Sequence, residues 1–218
     1  MIDRQAQYNM VEQQIRPWGV LAAKVLDVFT AVPRENFVPA AHKSLAYMDM
    51  QIPIGQDEKM LEPKIEARML QALDITPDNV ILEIGTGSGF VTALLAKLAK
   101  KVVSVEINDK LLEFGKNNLE ESNITNIKLK HDDALTDEFK IQGLFDVIVL
   151  TGSTTKIPEH LTEILKIGGR MFAMLQNGPL ALAVKITKLS KDELLTEELF
   201  ETTSVPLKET TLVQTFSF

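Results

Sequence analysis

The chain has 218 residues, of which 45% are hydrophobic, and a chain of this length and composition can bury the core of one compact domain. Its 30 acidic and 23 basic residues give a formal net charge of -7, and no block of Lys or Arg interrupts this acidic background. Non-specific electrostatic binding of nucleic acid is therefore not expected. The absence of cysteine, together with three histidines that lie far apart in sequence, argues against disulfides, thiolate nucleophiles and a metal site.

The first 62 residues are predicted to form a helical and loop extension. Residues 5–15 favour one helix and residues 21–32 a second, each followed by a proline. Residues 50–62 are predicted to be a loop, and Pro63 suits the first position of the helix that follows. No stretch approaches the ~18 apolar residues that a membrane helix needs, so we expect a cytoplasmic protein without a membrane partner.

After residue 78, apolar runs alternate with helical patterns. The candidate strands are NVILEI, KVVSVEI, NIKLKH and LFDVIVLT. Strands of nearly continuous apolar character between helices indicate a parallel sheet covered on both faces. The chain from residue 169 onwards is predicted to form several strands joined by hairpins. We therefore predict one α/β domain over residues 1–218, in which a doubly wound, mostly parallel sheet with antiparallel C-terminal strands occupies residues 63–218.

The stretch ILEIGTGSGF, residues 81–90, places a glycine-rich turn at the end of a strand. Gly85, Gly87 and Gly89 form G-x-G-x-G, whereas the dinucleotide fingerprint G-x-G-x-x-G would put its third glycine where Phe90 stands. Such a turn lets backbone approach a ligand closely and presents N–H groups at the start of the next helix. It suits an adenosine cofactor with a carboxylate as well as it suits a phosphate. A tight turn that binds nothing remains an alternative.

Carboxylates lie at the ends of three successive predicted strands. Glu83 belongs to the first strand, Glu106 ends the second, and Asp132 and Asp133 follow the third. Since the carboxyl ends of parallel strands form the binding crevice of an open α/β sheet, we expect these groups to meet there. Glu106 can accept hydrogen bonds from both hydroxyls of a ribose, and one aspartate can accept from the exocyclic amine of an adenine. Together with the glycine turn, they predict a nucleoside site.

With these motifs in place, the chain resembles the protein-L-isoaspartate O-methyltransferases. The resemblance runs through MVEQQIRPWGV, VPRENFVP, AYMDMQIPIG, LEIGTGSG, VVSVE, FDVIVLTG, IPEHL, GGR and VPL, nearly the whole chain. It implies a Rossmann-like class I methyltransferase fold with an N-terminal helical extension, and S-adenosyl-L-methionine as cofactor. It further implies that isoaspartyl-containing proteins or peptides are the substrate, methylated on their side carboxylate in protein repair.

The resemblance also implies which residues bind the cofactor. The loop from Gly85 to Gly89 would lie against its methionine part and ribose, Glu106 would hold the ribose, and Asp133 would mark the adenine. The family's Gly-Asp-Gly is Asp132-Asp133-Ala134 here, so the aspartate is kept without its glycines. The implied cofactor-binding set is Glu83, Gly85, Thr86, Gly87, Ser88, Gly89, Glu106, Ile107, Asp133, Ala134, Met60 and Leu61.

The acceptor loop departs from the family pattern. Where the family has Gly-Gln-Thr-Ile-Ser-Gln-Pro, this chain has DEKMLEP, so Lys59 and Leu61 replace the threonine and the serine. A serine hydroxyl could orient an acceptor carboxylate by a hydrogen bond of about 1–3 kcal/mol, and its loss would slow transfer by roughly tenfold to a hundredfold. Lys59 either pairs with a substrate carboxylate or is a solvated lysine. No catalytic residue is assigned, and Lys59 and Thr151 are the nearby candidates.

Three functions follow from this mixture of matching and changed positions. The first is methylation of isoaspartyl carboxylates. The second is methylation of another carboxylate or of a small molecule with the same cofactor. The third is cofactor binding by a protein that has lost transfer activity.

Two residues outside the site are given structural roles: Trp18 as a hydrophobic anchor for the N-terminal helices, and Arg34 as an ion-pair partner that fixes the loop before Phe37.

Overall fold

The computed structural model describes residues 3–208. Its strands are β1 Ile52–Gly55, β2 Glu58–Met60, β3 Val80–Ile84, β4 Lys101–Glu106, β5 Ile127–His131, β6 Phe145–Thr154, β7 Leu165–Asn177, β8 Leu180–Lys188 and β9 Leu194–Thr202. Its α-helices are α1 Arg4–Asn9, α2 Ala23–Ala31, α3 Pro63–Leu73, α4 Phe90–Leu98, α5 Asp109–Glu121 and α6 Glu159–Glu163.

The main sheet has the strand order β5-β4-β3-β6-β7-β8-β9. The five strands from β5 to β7 pair in parallel, whereas β8 and β9 pair antiparallel. The predicted α/β fold, with a mostly parallel sheet and antiparallel C-terminal strands, is confirmed. The chain leaves β3 towards β4 on one side and later returns to β6 on the other side. The carboxyl end of β3 is therefore a switch point, where sheets of this kind bind ligands.

The central strands carry apolar side chains on both faces of the sheet, so each face is covered by a packed layer. Ile81 and Val102 belong to a core cluster that also contains α4 and the N-terminal helices, whereas Leu82 and Val103 belong to a second cluster on the other face. Since side chains alternate across a strand, the apolar runs of β3 and β4 supply both cores at once. The assignment of the whole chain to a single domain with an extension over residues 1–62 stays a prediction.

The N-terminal extension is helical, with changes of helix type. After α1, a π-helical segment spans Met10–Ile15 and a 3-10 turn spans Arg16–Trp18, which Gly19 ends in a left-handed conformation with φ of 79°. The prediction that Trp18 is a hydrophobic anchor is wrong, since this turn leaves the ring 49% exposed. The Lys64 ammonium covers one face of that ring, 4.6 Å from its centroid.

The predicted loop over residues 50–62 instead contains a short antiparallel hairpin, β1–β2. Ile52 pairs with Met60, and the two strands are joined through Gln56 and Asp57, whose φ angles are 56° and 64°. Two central residues with positive φ are what a tight hairpin turn requires, because that geometry matches the twist of the strands. The usual signal for such a turn is Asn-Gly or Asp-Gly, and Gln-Asp lacks it, so the sequence patterns did not predict the hairpin.

Arg34 ties this hairpin to the body of the protein. Its fully buried guanidinium forms an ion pair with Glu66 of α3 and donates a hydrogen bond of 2.6 Å to the carbonyl oxygen of Leu61. It also lies over the ring of Phe90, with its Cζ atom 4.7 Å from the centroid. The ion pairing predicted for Arg34 is confirmed, and the partner is on α3.

We expect Arg34→Met to lower the free energy of unfolding by about 3–5 kcal/mol, because it leaves the buried Glu66 carboxylate without its partner. Arg16 provides a matched control, since its ion pair with Glu12 lies on the surface and Arg16→Met should cost less than about 1 kcal/mol. Urea unfolding followed by circular dichroism measures both. Equal losses in the two variants would contradict this role of Arg34.

Candidate active site

An open cleft of about 760 Å³ lies at the carboxyl ends of β3, β4, β5 and β6. Seven of the residues predicted to bind the cofactor line it: Leu61, Gly85, Gly87, Glu106, Ile107, Asp133 and Ala134. The structure thus brings together residues at the ends of β3, β4 and β5, the three strand ends that the sequence patterns placed at one edge of the sheet.

A smaller cavity of about 340 Å³ adjoins the cleft at the glycine turn. Three more predicted residues line it, namely Met60, Thr86 and Ser88. The remaining two, Glu83 and Gly89, line neither cavity among those described. The glycine turn therefore presents one side to the cleft and the other side to this adjoining cavity.

The turn itself depends on glycine at Gly85. Its φ is 96°, and a Cβ atom built at this position would collide with the hydroxyl oxygen of Thr151. The Thr151 hydroxyl lies 2.7 Å from the Gly85 carbonyl oxygen and 2.9 Å from that of Ile84, and it donates to these acceptors. Since its one proton is shared between two backbone oxygens, Thr151 positions the turn and has no proton left for an acceptor. A part for Thr151 in methyl transfer stays a prediction.

Glu106 joins the end of β4 to the glycine turn. One carboxylate oxygen accepts a hydrogen bond from the Gly87 N–H at 2.9 Å, and the other accepts from the Asn108 N–H at 3.0 Å. The residue is only 6% exposed, yet it lines the cleft. Each carboxylate oxygen has about two acceptor sites, so these two bonds leave capacity for two further donors. The arrangement fits a pair of ribose hydroxyls.

The two aspartates after β5 have different surroundings. Asp132 forms an ion pair of 2.5 Å with Lys130 and accepts a hydrogen bond of 2.9 Å from the Asp133 N–H. Asp133 accepts a hydrogen bond of 3.0 Å from the Leu135 N–H through its Oδ1 atom, and it lines the cleft. The backbone N–H of Leu135 thus fixes the Asp133 carboxylate at the rim of the cleft.

Glu83 lies behind the turn, not in the crevice where we expected it. Its carboxyl group is fully buried and accepts a hydrogen bond of 2.5 Å from the Thr92 hydroxyl. The pKa of Glu83 is raised from 4.5 to about 8, mainly by burial; the Ser104 and Thr92 hydroxyls act to lower this pKa, and the nearby Glu106 adds to the rise. Glu83 lies on the face of β3 that α4 covers, so its side chain does not reach the cleft, whereas its neighbour Ile84 on the other face lines it.

The raised pKa of Glu83 makes stability depend on pH. Between pH 4.5 and about 8 the folded protein keeps a proton that the unfolded chain releases, so the free energy of unfolding falls as pH rises through this window. Glu83→Gln lacks that contribution, and we expect its stability relative to the parent protein to increase from pH 5 to pH 8. Chemical denaturation at both pH values measures it, with Glu120→Gln on the exposed side of α5 as the control. If the stability of Glu83→Gln relative to the parent protein is the same at both pH values, the raised pKa of Glu83 is contradicted.

The β1–β2 hairpin and a C-terminal segment close the cleft on the side of the glycine turn. A Cβ atom at Gly87 would lie 3.2 Å from the Cδ1 atom of Ile54, so the hairpin packs directly on the turn. Lys59 and Leu61 of the same hairpin region line both cavities. The acceptor loop thus lies where the resemblance implied, over the glycine turn.

Sequence reasoning missed the C-terminal part of the cleft, residues 203–208. The Ser153 N–H donates to the carbonyl oxygen of Val205 at 3.1 Å, and the Leu207 N–H donates to that of Ser153 at 2.8 Å. Gln51 reaches the segment from the other side, donating to the carbonyl oxygen of Thr203 at 2.9 Å. The only sequence feature noted in this segment was the VPL motif, residues 205–207, and it did not indicate that the segment pairs with Ser153 of β6.

Comparison with known proteins agrees with this geometry. The sequence model of the family described as Protein-L-isoaspartate(D-aspartate) O-methyltransferase (PCMT) matches residues 5–212. The chain belongs to this family. A protein-L-isoaspartate O-methyltransferase of Petrotoga mobilis is 39% identical over 188 residues, covering 86% of this chain and 88% of the relative. That of Syntrophus aciditrophicus is 38% identical over 194 residues, with 88% of each chain covered.

Solved structures of family members share the fold. The beta-aspartate methyltransferase of Plasmodium falciparum, in complex with S-adenosyl-L-homocysteine, superposes with a TM-score of 0.81 at 22% identity, covering 96% of this chain and 100% of that one. A second protein-L-isoaspartate O-methyltransferase has a TM-score of 0.77 at 25% identity, covering 93% of this chain and 65% of that one. Within residues 3–208, no helix is long and apolar enough to span a membrane.

Proposed function

We propose that this methyltransferase moves the methyl group of S-adenosyl-L-methionine to the side carboxylate of isoaspartyl residues in damaged proteins or peptides. The observation that carries the proposal is the Glu106 carboxylate, which accepts a hydrogen bond from the Gly87 N–H and lines the cleft at the carboxyl edge of the sheet in a chain of this family. The names of the relatives support the isoaspartyl acceptor, and the S-adenosyl-L-homocysteine complex of the Plasmodium falciparum protein supports the cofactor.

The described residues fit the cofactor in three places. Glu106 keeps acceptor capacity for two ribose hydroxyls, as its two backbone bonds occupy only part of its carboxylate. Asp133 is fixed at the rim, where it would accept from the adenine amine between Ile107 and Ala134. Gly85 lines the cleft at the glycine turn, against which the methionine part would lie. The charge of Glu106 would also repel a 2′-phosphate.

Transfer needs little acid–base chemistry from the protein. An isoaspartyl carboxyl group has a pKa of about 4, so at neutral pH its carboxylate is already the nucleophile. When bound, S-adenosyl-L-methionine would supply a methyl group on a positively charged sulfur, suited to in-line displacement by the carboxylate oxygen with neutral S-adenosylhomocysteine as the leaving group. The protein's contribution is alignment, which can lower the barrier by ~7 kcal/mol or more. The apolar side chains of Ile54, Leu61 and Leu207 line this end of the cleft, and against a bound cofactor they would help to exclude water.

A changed acceptor is the second candidate function. Leu61 is buried and offers no hydroxyl, and its carbonyl oxygen is occupied by Arg34. The position where the family has a serine therefore contributes only apolar surface to the cleft. Another carboxylate or a small molecule would use the same cofactor site with this different wall.

We expect the protein to bind S-adenosylhomocysteine, and Glu106→Ala to weaken this binding by about 1–3 kcal/mol, because a charged acceptor for two hydroxyls is removed. Isothermal titration calorimetry measures both affinities. Glu113→Ala on the exposed face of α5 removes the same charge and should bind as tightly as the parent. Unchanged affinity of Glu106→Ala would remove Glu106 from the site, and no binding by the parent would overturn the proposed function.

Transfer of labelled methyl groups separates the candidate acceptors. The parent protein should methylate an isoaspartyl peptide and leave the same peptide with a normal aspartyl linkage unlabelled. Labelling of another carboxylate compound alone would establish a changed acceptor. Tight cofactor binding without transfer to any acceptor would establish a protein that has lost its activity.

A further inference from the structure

Two cationic side chains line the cleft within the described residues, and they differ in their surroundings. The Lys208 ammonium forms an ion pair of 2.9 Å with Glu58 and donates a hydrogen bond of 2.6 Å to the carbonyl oxygen of Gln56. It thereby holds the hairpin turn against the C-terminal segment. Lys59 has neither an ion-pair partner nor a hydrogen-bond partner for its ammonium group within residues 3–208.

Lys59 lies at the transfer end of the cleft. It is on β2, paired with Pro53 of β1, and it lines both the cleft and the adjoining cavity beside Gly85. Glu106 and Asp133 line only the larger cleft, so they belong to its nucleoside end. The charge of Lys59 therefore acts mainly on whatever is placed between the glycine turn and the hairpin.

The acidic groups near this end do not neutralise Lys59. Glu66, which lines the adjoining cavity, is the ion-pair partner of Arg34. Glu58, the residue before Lys59, is the partner of Lys208. Lys59 itself is exposed where it lines the cleft, and the neighbouring wall is the buried, apolar Leu61, which offers an anion no competing partner.

We propose that Lys59 determines acceptor specificity by forming an ion pair with the substrate carboxylate. This inference rests on the proposed function, since it assigns a recognition element to the same site. An ammonium group needs only an anion within reach, whereas a hydroxyl needs a directed hydrogen bond. Lys59 therefore attracts the anionic acceptor and holds it against the glycine turn, beside a Leu61 side chain that cannot donate.

The same charge has a consequence for the cofactor. S-adenosylmethionine carries a positive sulfur at the transfer end, and S-adenosylhomocysteine carries a neutral one. A lysine that faces this position repels the methyl donor and does not repel the product. Lys59 should thus favour S-adenosylhomocysteine over S-adenosylmethionine in the absence of acceptor, and an acceptor carboxylate should remove this preference.

The test is Lys59→Met, which keeps the apolar stem and removes the charge. We expect the KM for an isoaspartyl peptide to rise about three- to tenfold and to lose its dependence on ionic strength, because the screened attraction is gone. We also expect the affinity ratio of S-adenosylmethionine to S-adenosylhomocysteine, measured by calorimetry, to shift at least threefold towards S-adenosylmethionine. Lys100→Met, at the opposite end of the sheet, removes an equal charge and should change neither quantity.

Each other result has a definite meaning. If Lys59→Met weakens both cofactor forms equally, Lys59 holds the cofactor's own carboxylate and the proposal is overturned. If neither the KM nor the affinity ratio changes, Lys59 is a solvated lysine and the proposal is overturned as well. If the parent protein binds neither cofactor form, the proposed function fails first, and the calorimetry alone shows it.

Discussion

The buried ion pair between Arg34 and Glu66 is the contact on which the acceptor side of the cleft depends. The guanidinium reaches α3 through Glu66, the hairpin region through the Leu61 carbonyl oxygen, and the start of α4 through the Phe90 ring. Two charges that are removed from water need a partner and further hydrogen bonds, so this pair has few alternative geometries. The N-terminal extension is therefore fixed to the helix that follows the glycine turn, and Lys59 and Leu61 are fixed with it.

The nucleoside side of the cleft is held in a different way, by hydrogen bonds to the backbone. Here the backbone itself is the scaffold: Gly85 takes a left-handed conformation under the Thr151 hydroxyl, and Glu106 accepts from the Gly87 N–H. Behind the turn, Glu83 is fully buried, and this burial raises its pKa and so favours the neutral acid. One side of the site is thus held by a charged pair and the other by backbone hydrogen bonds, with the acceptor pocket between them.

Much of this could be predicted from the sequence, because it depends on local patterns. Apolar runs between helices gave the parallel sheet, and the turn after β3 together with Glu106 at the end of β4 gave the nucleoside end of the cleft. The position of Arg34 in an ion pair was also predicted, although its partner was not. Each of these features follows from residue types and their spacing along a single segment.

The remaining features depend on contacts that spacing does not encode. The hairpin turn at Gln56 and Asp57 has left-handed residues without glycine, and Lys208 holds it from 152 residues away. Glu83 belongs to the glycine motif by sequence, yet the alternation of β3 turns its side chain into the layer behind the cleft. The pairing of Ser153 with Val205 joins parts of the chain whose proximity only the folded sheet determines.

A crystal structure of the protein with S-adenosylhomocysteine and an isoaspartyl peptide tests the central claim most directly. The account predicts that both ribose hydroxyls donate to Glu106, with the sulfur between the glycine turn and the hairpin. It also predicts that the side carboxylate of the peptide lies within about 4 Å of the Lys59 ammonium, the usual limit for an ion pair. A ribose bound away from Glu106, or a carboxylate that contacts another part of the cleft with Lys59 in solvent, would contradict it.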